Sequence, residues 1–223
     1  MDATTYQDYV NILHEELVPA MGCTEPIAIA YAAAVARQTL GRPAQRMEVE
    51  ASGNIIKNVK SVFVPNTGGL RGIPAAAAAG MAAGDPALGL EVLSSIGEGE
   101  QAAIRQYLAD TPIAVKLADS PFIFDIAIRA WAGEDSALVR IVNYHTNIVR
   151  VERNGQVLKE VEAQAAAEEG LTDKSVLTVE GILEFAREAA LADVEEAVGR
   201  QVRYNTAIAQ EGLRGDYGAN TGK

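Results

Sequence analysis

Met21-Gly22-Cys23-Thr24-Glu25-Pro26 leads into Ile27-Ala28-Ile29-Ala30-Tyr31-Ala32-Ala33-Ala34-Val35-Ala36, and the rest of the chain must be arranged around this stretch. The run 27–36 is apolar on every side, and a helix without a polar face has to be covered all round. Thr24 or Glu25 can cap its start, and Pro26 suits the first turn because it has no N–H to leave unpaired. Gly41, able to turn left-handed, and Pro43, unable to continue a helix, close it. The stretch also holds the chain's only cysteine. A thiol ahead of a helix lies near the positive end of the dipole, which favours thiolate. Cys23 is therefore expected to be partly accessible, with a lowered pKa. The competing reading is a small core residue, the ordinary fate of a lone cysteine.

On the N-terminal side, residues 5–18 read as a helix with Tyr6, Val10, Leu13 and Leu17 on one face. On the C-terminal side the period changes to two. Met47, Val49 and Ala51 alternate with Glu48 and Glu50, and 59–64 (VKSVFV) is rich in β-branched residues, so two strands are expected with a turn at Ser52-Gly53-Asn54. Residues 65–72 (PNTGGLRG) form a glycine-rich loop before Pro74 and the alanine helix 75–83. Such a loop can bind an anion through free N–H groups and the helix dipole, although this one matches neither a Walker loop nor a dinucleotide fingerprint. A plain connector is the alternative. Further helical segments are expected near 86–95 and 98–109.

A meander follows. Strands are expected at 112–117, over the alternation Phe122, Phe124, Ile126, Ile128, and at 137–144, 148–152 and 157–161, with Asn154-Gly155 as a hairpin turn. His145-Thr146-Asn147 falls at a strand junction, where a turn carrying a surface histidine is the simpler reading. Residues 162–176 are acidic and poorly patterned. Thr178 opens a helix through Ala190, Asp193 with Glu196 suggests a capping pair for another through about Gln210, and the tail 212–223 is glycine-rich. The expected architecture is α+β, an antiparallel sheet with helices packed on it, including a buried central helix. No linker divides the chain, so 1–223 is read as one domain.

A net charge of −11, from 19 basic and 30 acidic residues, repels phosphate backbones and argues against a nucleic-acid partner. One cysteine excludes an internal disulfide and fits a reducing compartment. No basic segment precedes an apolar core at the N-terminus, and no apolar run reaches the ~18 residues of a membrane span. A cytoplasmic protein without a membrane partner is expected.

Three stretches together resemble a known family: Gly22-Cys23-Thr24-Glu25-Pro26; Val64-Pro65-Asn66-Thr67-Gly68 with Gly72-Ile73-Pro74-Ala75-Ala76-Ala77; and His145-Thr146-Asn147-Ile148-Val149. In this order they look like the L-cysteine desulfidase family, related to the iron–sulfur L-serine dehydratase alpha chain, and Gln210-Glu211-Gly212-Leu213 is similar too. The resemblance covers essentially the whole chain. It implies a lyase that performs β-elimination on a small L-amino acid, cysteine or serine, with a [4Fe–4S] cluster held by three cysteines. On that model Cys23 is a cluster ligand and Glu25 and His145 are catalytic. Asn66, Thr67, Gly68, Gly69, Thr146 and Asn147 bind substrate.

Members of that family are about twice this length, with their other cluster cysteines in the second half. The chain thus resembles an N-terminal half, expected to be inactive alone, to bind no cluster by itself, and to associate with its own copies or with a C-terminal half. The surface around Cys23 and the alanine helix is the expected contact. Three alternatives stay open. One is a cluster-free scaffold or interaction fragment with a structural cysteine. Another is thiol catalysis by Cys23 with His145 as base. A pyridoxal enzyme is the third, although no lysine stands out for it.

Overall fold

The computed structural model describes residues 1–163 and 171–216. Part of the acidic segment 162–176 and the end of the tail 212–223 lie outside the described residues. Where the sequence suggests one domain, the chain forms two compact units, Ala20–Glu169 and Met1–Pro19 with Gly170–Lys223. The fold is α+β.

The larger unit is built on a six-stranded sheet in the order β2-β1-β3-β4-β5-β6. Its strands are β1 (Arg46–Ala51), β2 (Ile113–Leu117), β3 (Asp125–Ala132), β4 (Asp135–Val142), β5 (Ile148–Arg153) and β6 (Gln156–Glu160). β1 runs parallel to β2 and antiparallel to β3, and the rest is an antiparallel meander. Alternation decides the faces as expected. Met47, Val49, Ile126, Ile128, Val139 and Ile141 are buried on one side. The other side carries cross-strand ion pairs, Lys116–Glu48, Arg129–Glu50 and Arg140–Asp125. One face packed and one face polar is the usual state of an antiparallel sheet.

On the apolar face lies α2 (Thr24–Leu40), which touches β3, β4 and β5 as well as α4 (Gly72–Ala83). Ile27, Ala28, Ile29, Ala30, Ala32 and Ala33 are wholly inaccessible, so the helix is covered on most of its circumference, with Tyr31, Val35 and Gln38 along the side that stays partly accessible. Gly41 ends it in the left-handed conformation. α4 crosses α2 so closely that a Cβ at Gly80 would lie 1.9 Å from the Ala30 carbonyl oxygen. Small side chains make that approach possible. Most of α2 and α4 is buried by the chain itself, while Tyr31, Val35 and Gln38 of α2 and Ala82 and Ala83 of α4 keep some accessible surface. A short 3-10 stretch at Pro86–Glu91 and α5 (Glu98–Asp110) complete the layer.

The strand expected at 59–64 is absent. Residues Gly53–Val59 instead form α3, which starts after Ser52. Ile55 and Val59, four apart, both point into the core and are fully buried, so helical spacing outweighs β-propensity. Residues 60–64 then lead into a loop closed by Val64 N–H donating to the Leu70 carbonyl and Gly72 N–H to that of Val62. Likewise Phe122 and Phe124 precede β3 rather than opening it.

The smaller unit contains α1 (Ala3–Glu16), a 3-10 turn at Lys174–Val176, α6 (Val179–Glu188) and α7 (Leu191–Arg214). Asp2 caps α1 by accepting from the N–H groups of Thr4 and Thr5, and Thr178 caps α6 by accepting from Gly181 N–H. The expected capping pair on α7 is not formed. Ala190 holds the cap position, and Asp193 accepts from the Tyr6 hydroxyl at 2.8 Å. The core here is thin: Tyr9, Val10 and Phe185, with both Tyr6 and Tyr9 rings 5.2 Å from Phe185. Among the described residues no helix is long and apolar enough to cross a membrane.

Candidate functional site

Cys23 occupies the N-cap position of α2, where Thr24 or Glu25 was expected. Its side chain caps no backbone N–H. The Sγ instead donates to Glu25 Oε2 at 2.9 Å. Asn58, on the last turn of α3, donates from Nδ2 to the other carboxylate oxygen at 3.2 Å. His145, on the loop between β4 and β5, interacts electrostatically with the same carboxylate. Its ring is half-buried and meets Phe124 edge-on at 4.6 Å. Three segments far apart in sequence thus meet at Glu25, all within the larger unit. Cys23, the 66–69 loop and His145 were expected to line one cavity; in the structure Cys23 and His145 each interact with Glu25.

The electrostatics differ from the sequence expectation at one point. The Cys23 pKa is raised above 9.0, not lowered, because partial burial and then the bond to Glu25 both favour the protonated thiol. The dipole effect is outweighed by a carboxylate two residues away. Glu25 responds in the opposite sense. Donation from the Cys23 thiol, and further donation from Asn58 with the charge of His145, hold its pKa below 4.5. Burial lowers His145 below 6.5 despite the attraction of Glu25. Around neutral pH the group is therefore a thiol, a carboxylate and a neutral imidazole.

The glycine-rich loop comes close to this cluster through Pro65, whose Cγ lies 3.8 Å from where a Cβ on Gly22 would stand. Its residues have unequal roles. Asn66 adopts positive φ and is exposed, but its amide donates to the Leu93 carbonyl at 3.0 Å. Thr67 is 0% exposed, its hydroxyl donating to the Val64 carbonyl and accepting from Leu70 N–H. It shapes the loop from within and has no surface for a substrate, contrary to expectation. The Gly68 carbonyl accepts from Arg105 Nη2 at 2.7 Å, so close that a Cβ there would collide with the guanidinium. Gly69 is exposed with open space around it. At the other end, Asn147 closes its turn by donating to the Val142 carbonyl at 2.9 Å, while Thr146 is exposed.

Sequence reading overlooked Asn58, Phe124 and Arg105. Asn58 was hidden because α3 was read as the approach to a strand, and on a helix its side chain can reach back to α2. Phe124 carried a strand signal that concealed its role as a wall for His145. Nothing local marks Arg105.

As to metals, among the described residues no three His, Cys, Asp or Glu side chains are grouped to hold an ion. Cys23 is the chain's one thiol, and it is committed as a donor to Glu25. A [4Fe–4S] cluster takes three or four thiolate ligands, so the residues present do not by themselves fit one.

No family model matches the chain, and no solved structure matches it. Curated relatives do. A UPF0597 protein of Desulfitobacterium hafniense is 50% identical over 218 residues, 98% of this chain and 51% of the relative. One from Treponema denticola is 42% identical across 100% of this chain and 52% of its own length, and one from Lachnoclostridium phytofermentans 44% identical across 97% and 52%. The chain is thus similar to UPF0597 proteins over nearly all of its own length and spans about half of theirs.

Proposed function

We propose that this chain supplies the proton-handling part of a lyase that carries out β-elimination on a small L-amino acid, L-cysteine or L-serine. The observation that carries the reading is the Glu25 carboxylate held between the Cys23 thiol and the Asn58 amide, with His145 interacting with it electrostatically. The resemblance of the three motifs to the cysteine desulfidase family supports the same reading. Glu25 takes the proton from the substrate Cα, and the freed pair forms the Cα–Cβ double bond as the bond from Cβ breaks, the leaving group departing as hydrosulfide from cysteine or, taking that proton back from Glu25, as water from serine. His145 orients the substrate by hydrogen bonding, with Thr146 and Gly69 on exposed turns nearby in sequence to these motifs. The enamine product becomes an imine and is hydrolysed to pyruvate and ammonia. Any iron–sulfur cluster takes its remaining ligands from outside this chain.

The test is pyruvate release from L-cysteine and L-serine by this chain produced anaerobically together with the half of the relatives' length that it does not span. Glu25→Gln should lower kcat by about 10²-fold or more while substrate still binds. Absence of pyruvate from either amino acid, or a Glu25→Gln variant as fast as the parent, overturns the proposal. The raised Cys23 pKa favours a second reading, a cluster-free scaffold with a structural thiol. Iron and sulfide content after anaerobic reconstitution of the two halves separates them, since a scaffold retains neither.

A further inference from the structure

The smaller unit leaves its two most amphipathic helices with their apolar sides in solvent. On α6, Val179, Ile182 and Leu183 follow helical spacing, yet they are 70%, 49% and 53% exposed. Phe185, on another side of the helix, is the residue that enters the core. α7 behaves differently along its length. Val194 packs against the Tyr9–Phe185 cluster and Ala197 is fully buried. Val202, Ile208 and Leu213 continue the same side, within an arc of about 160° at 100° per residue, but are 58%, 70% and 63% exposed. From Gln201 to Arg214 the described helix has no buried residue.

We propose that these faces of α6 and α7 form the docking surface for the half of the UPF0597 relatives' length that this chain does not span. Three observations point to that occupant. The relatives carry about as much chain again as is present here. A monomer rarely leaves an apolar patch of several hundred Å² open, and such patches mark interaction surfaces. Among the described residues the unit buries only Tyr9, Val10, Ile12, Phe185 and Ala197, a core too thin for a segment of this size to rely on alone. A second copy fits less well. In a paired-helix seam through Val194, Val198, Gln201, Asn205, Ile208 and Gly212, two positions are polar and one has no side chain, which disfavours α7 packing on itself. The partner surface is apolar and lies on the half of the relatives' length that this chain does not span.

Co-expression of this chain with the remaining half of the Desulfitobacterium hafniense relative, followed by affinity purification and size-exclusion chromatography, tests the proposal without reference to any activity. A one-to-one complex is expected. The double variant Leu183→Glu/Ile208→Glu should weaken it at least 100-fold with the chain's own melting profile unchanged, since both positions are exposed. Ile123→Glu, 77% exposed in the larger unit, should leave it intact. A complex unaffected by the double variant overturns the proposal. So does a chain that dimerises alone and is dispersed by the same substitutions, which would give the surface to a second copy. Hydrogen exchange on the intact relative keeps the question decidable should its half not fold alone. Amides aligned with 201–214 should exchange at least 100-fold more slowly there than in this chain, and equal rates overturn the proposal.

Discussion

Replacing Gly80 by alanine tests the packing of the larger unit most directly. The added Cβ would stand 1.9 Å from the Ala30 carbonyl oxygen, 2.6 Å from its carbon and 2.7 Å from its Cα. All three are backbone atoms of a residue that is 0% exposed, so no side chain can swing away. Ordinary contact begins near 3.4 Å, and α2 and α4 must separate by on the order of 1 Å to restore it. Overpacking a rigid core costs about 1–3 kcal/mol, and a backbone-to-backbone clash belongs at the upper end. Alanine recovers up to about 1 kcal/mol over glycine in helix propensity. The expected net loss is about 2 kcal/mol. Trp131, the only tryptophan, lies on β3, so its fluorescence in a urea titration reports the larger unit alone. Gly99→Ala in α5, exposed and with nothing within 4 Å, is the control and should gain about 0.5 kcal/mol. A Gly80→Ala protein as stable as the parent would refute the close crossing of the two helices.

Other expectations concern charge. Arg140→Ala strips the Nε and Nη2 donors, at 3.0 and 2.6 Å, from an Asp125 carboxylate that is nearly inaccessible. It should cost about 3 kcal/mol, the low end for breaking a buried pair because Arg140 is partly exposed, read from the same urea titration. Alkylation of Cys23 by iodoacetamide should show a midpoint above that of an ordinary cysteine, moving to lower pH in Glu25→Gln; a midpoint lowered below the ordinary thiol would contradict the arrangement at the α2 cap. For His145 the folded pKa lies below 6.5, so the folded state prefers neutral imidazole. Its contribution to stability is present above pH 6.5 and lost as the pH falls through the folded value. His145→Phe should therefore flatten the stability profile below pH 6.5, and NMR titration of the ring should give a midpoint under that value.

The sheet was legible because its strands alternate cleanly. Glu48 and Glu50 between Met47, Val49 and Ala51, and Asn154-Gly155 between β5 and β6, leave little choice of face or turn. The buried helix α2 was equally plain from a run with no polar side. What the sequence concealed is tertiary. Ile55 and Val59 carry β-branched side chains whose helical placement depends on a core that forms from distant segments. The division into two units was invisible because the smaller one is assembled from both ends of the chain, with no linker composition to mark it. At the site, the direction of the thiol's shift depends on burial and on a hydrogen bond to Glu25, neither of which a spacing rule specifies. Thr67 enters as a substrate contact only through the family resemblance, and the loop's closure turns its hydroxyl inward.

The position of β1 bears on how the protein is made. A ribosome delivers Arg46–Ala51 well before either of its sheet neighbours, since β2 starts at Ile113 and β3 ends at Ala132. At about 5–20 residues per second, roughly 4–16 seconds pass between the completion of β1 and that of β3. Throughout that interval α2, apolar over its whole circumference, has no sheet to lie on. Pairing at such sequence separation is also slow to nucleate once the strands exist. The nascent chain therefore carries a strongly apolar helix for seconds before the sheet that covers it exists, a window in which such a segment is open to aggregation.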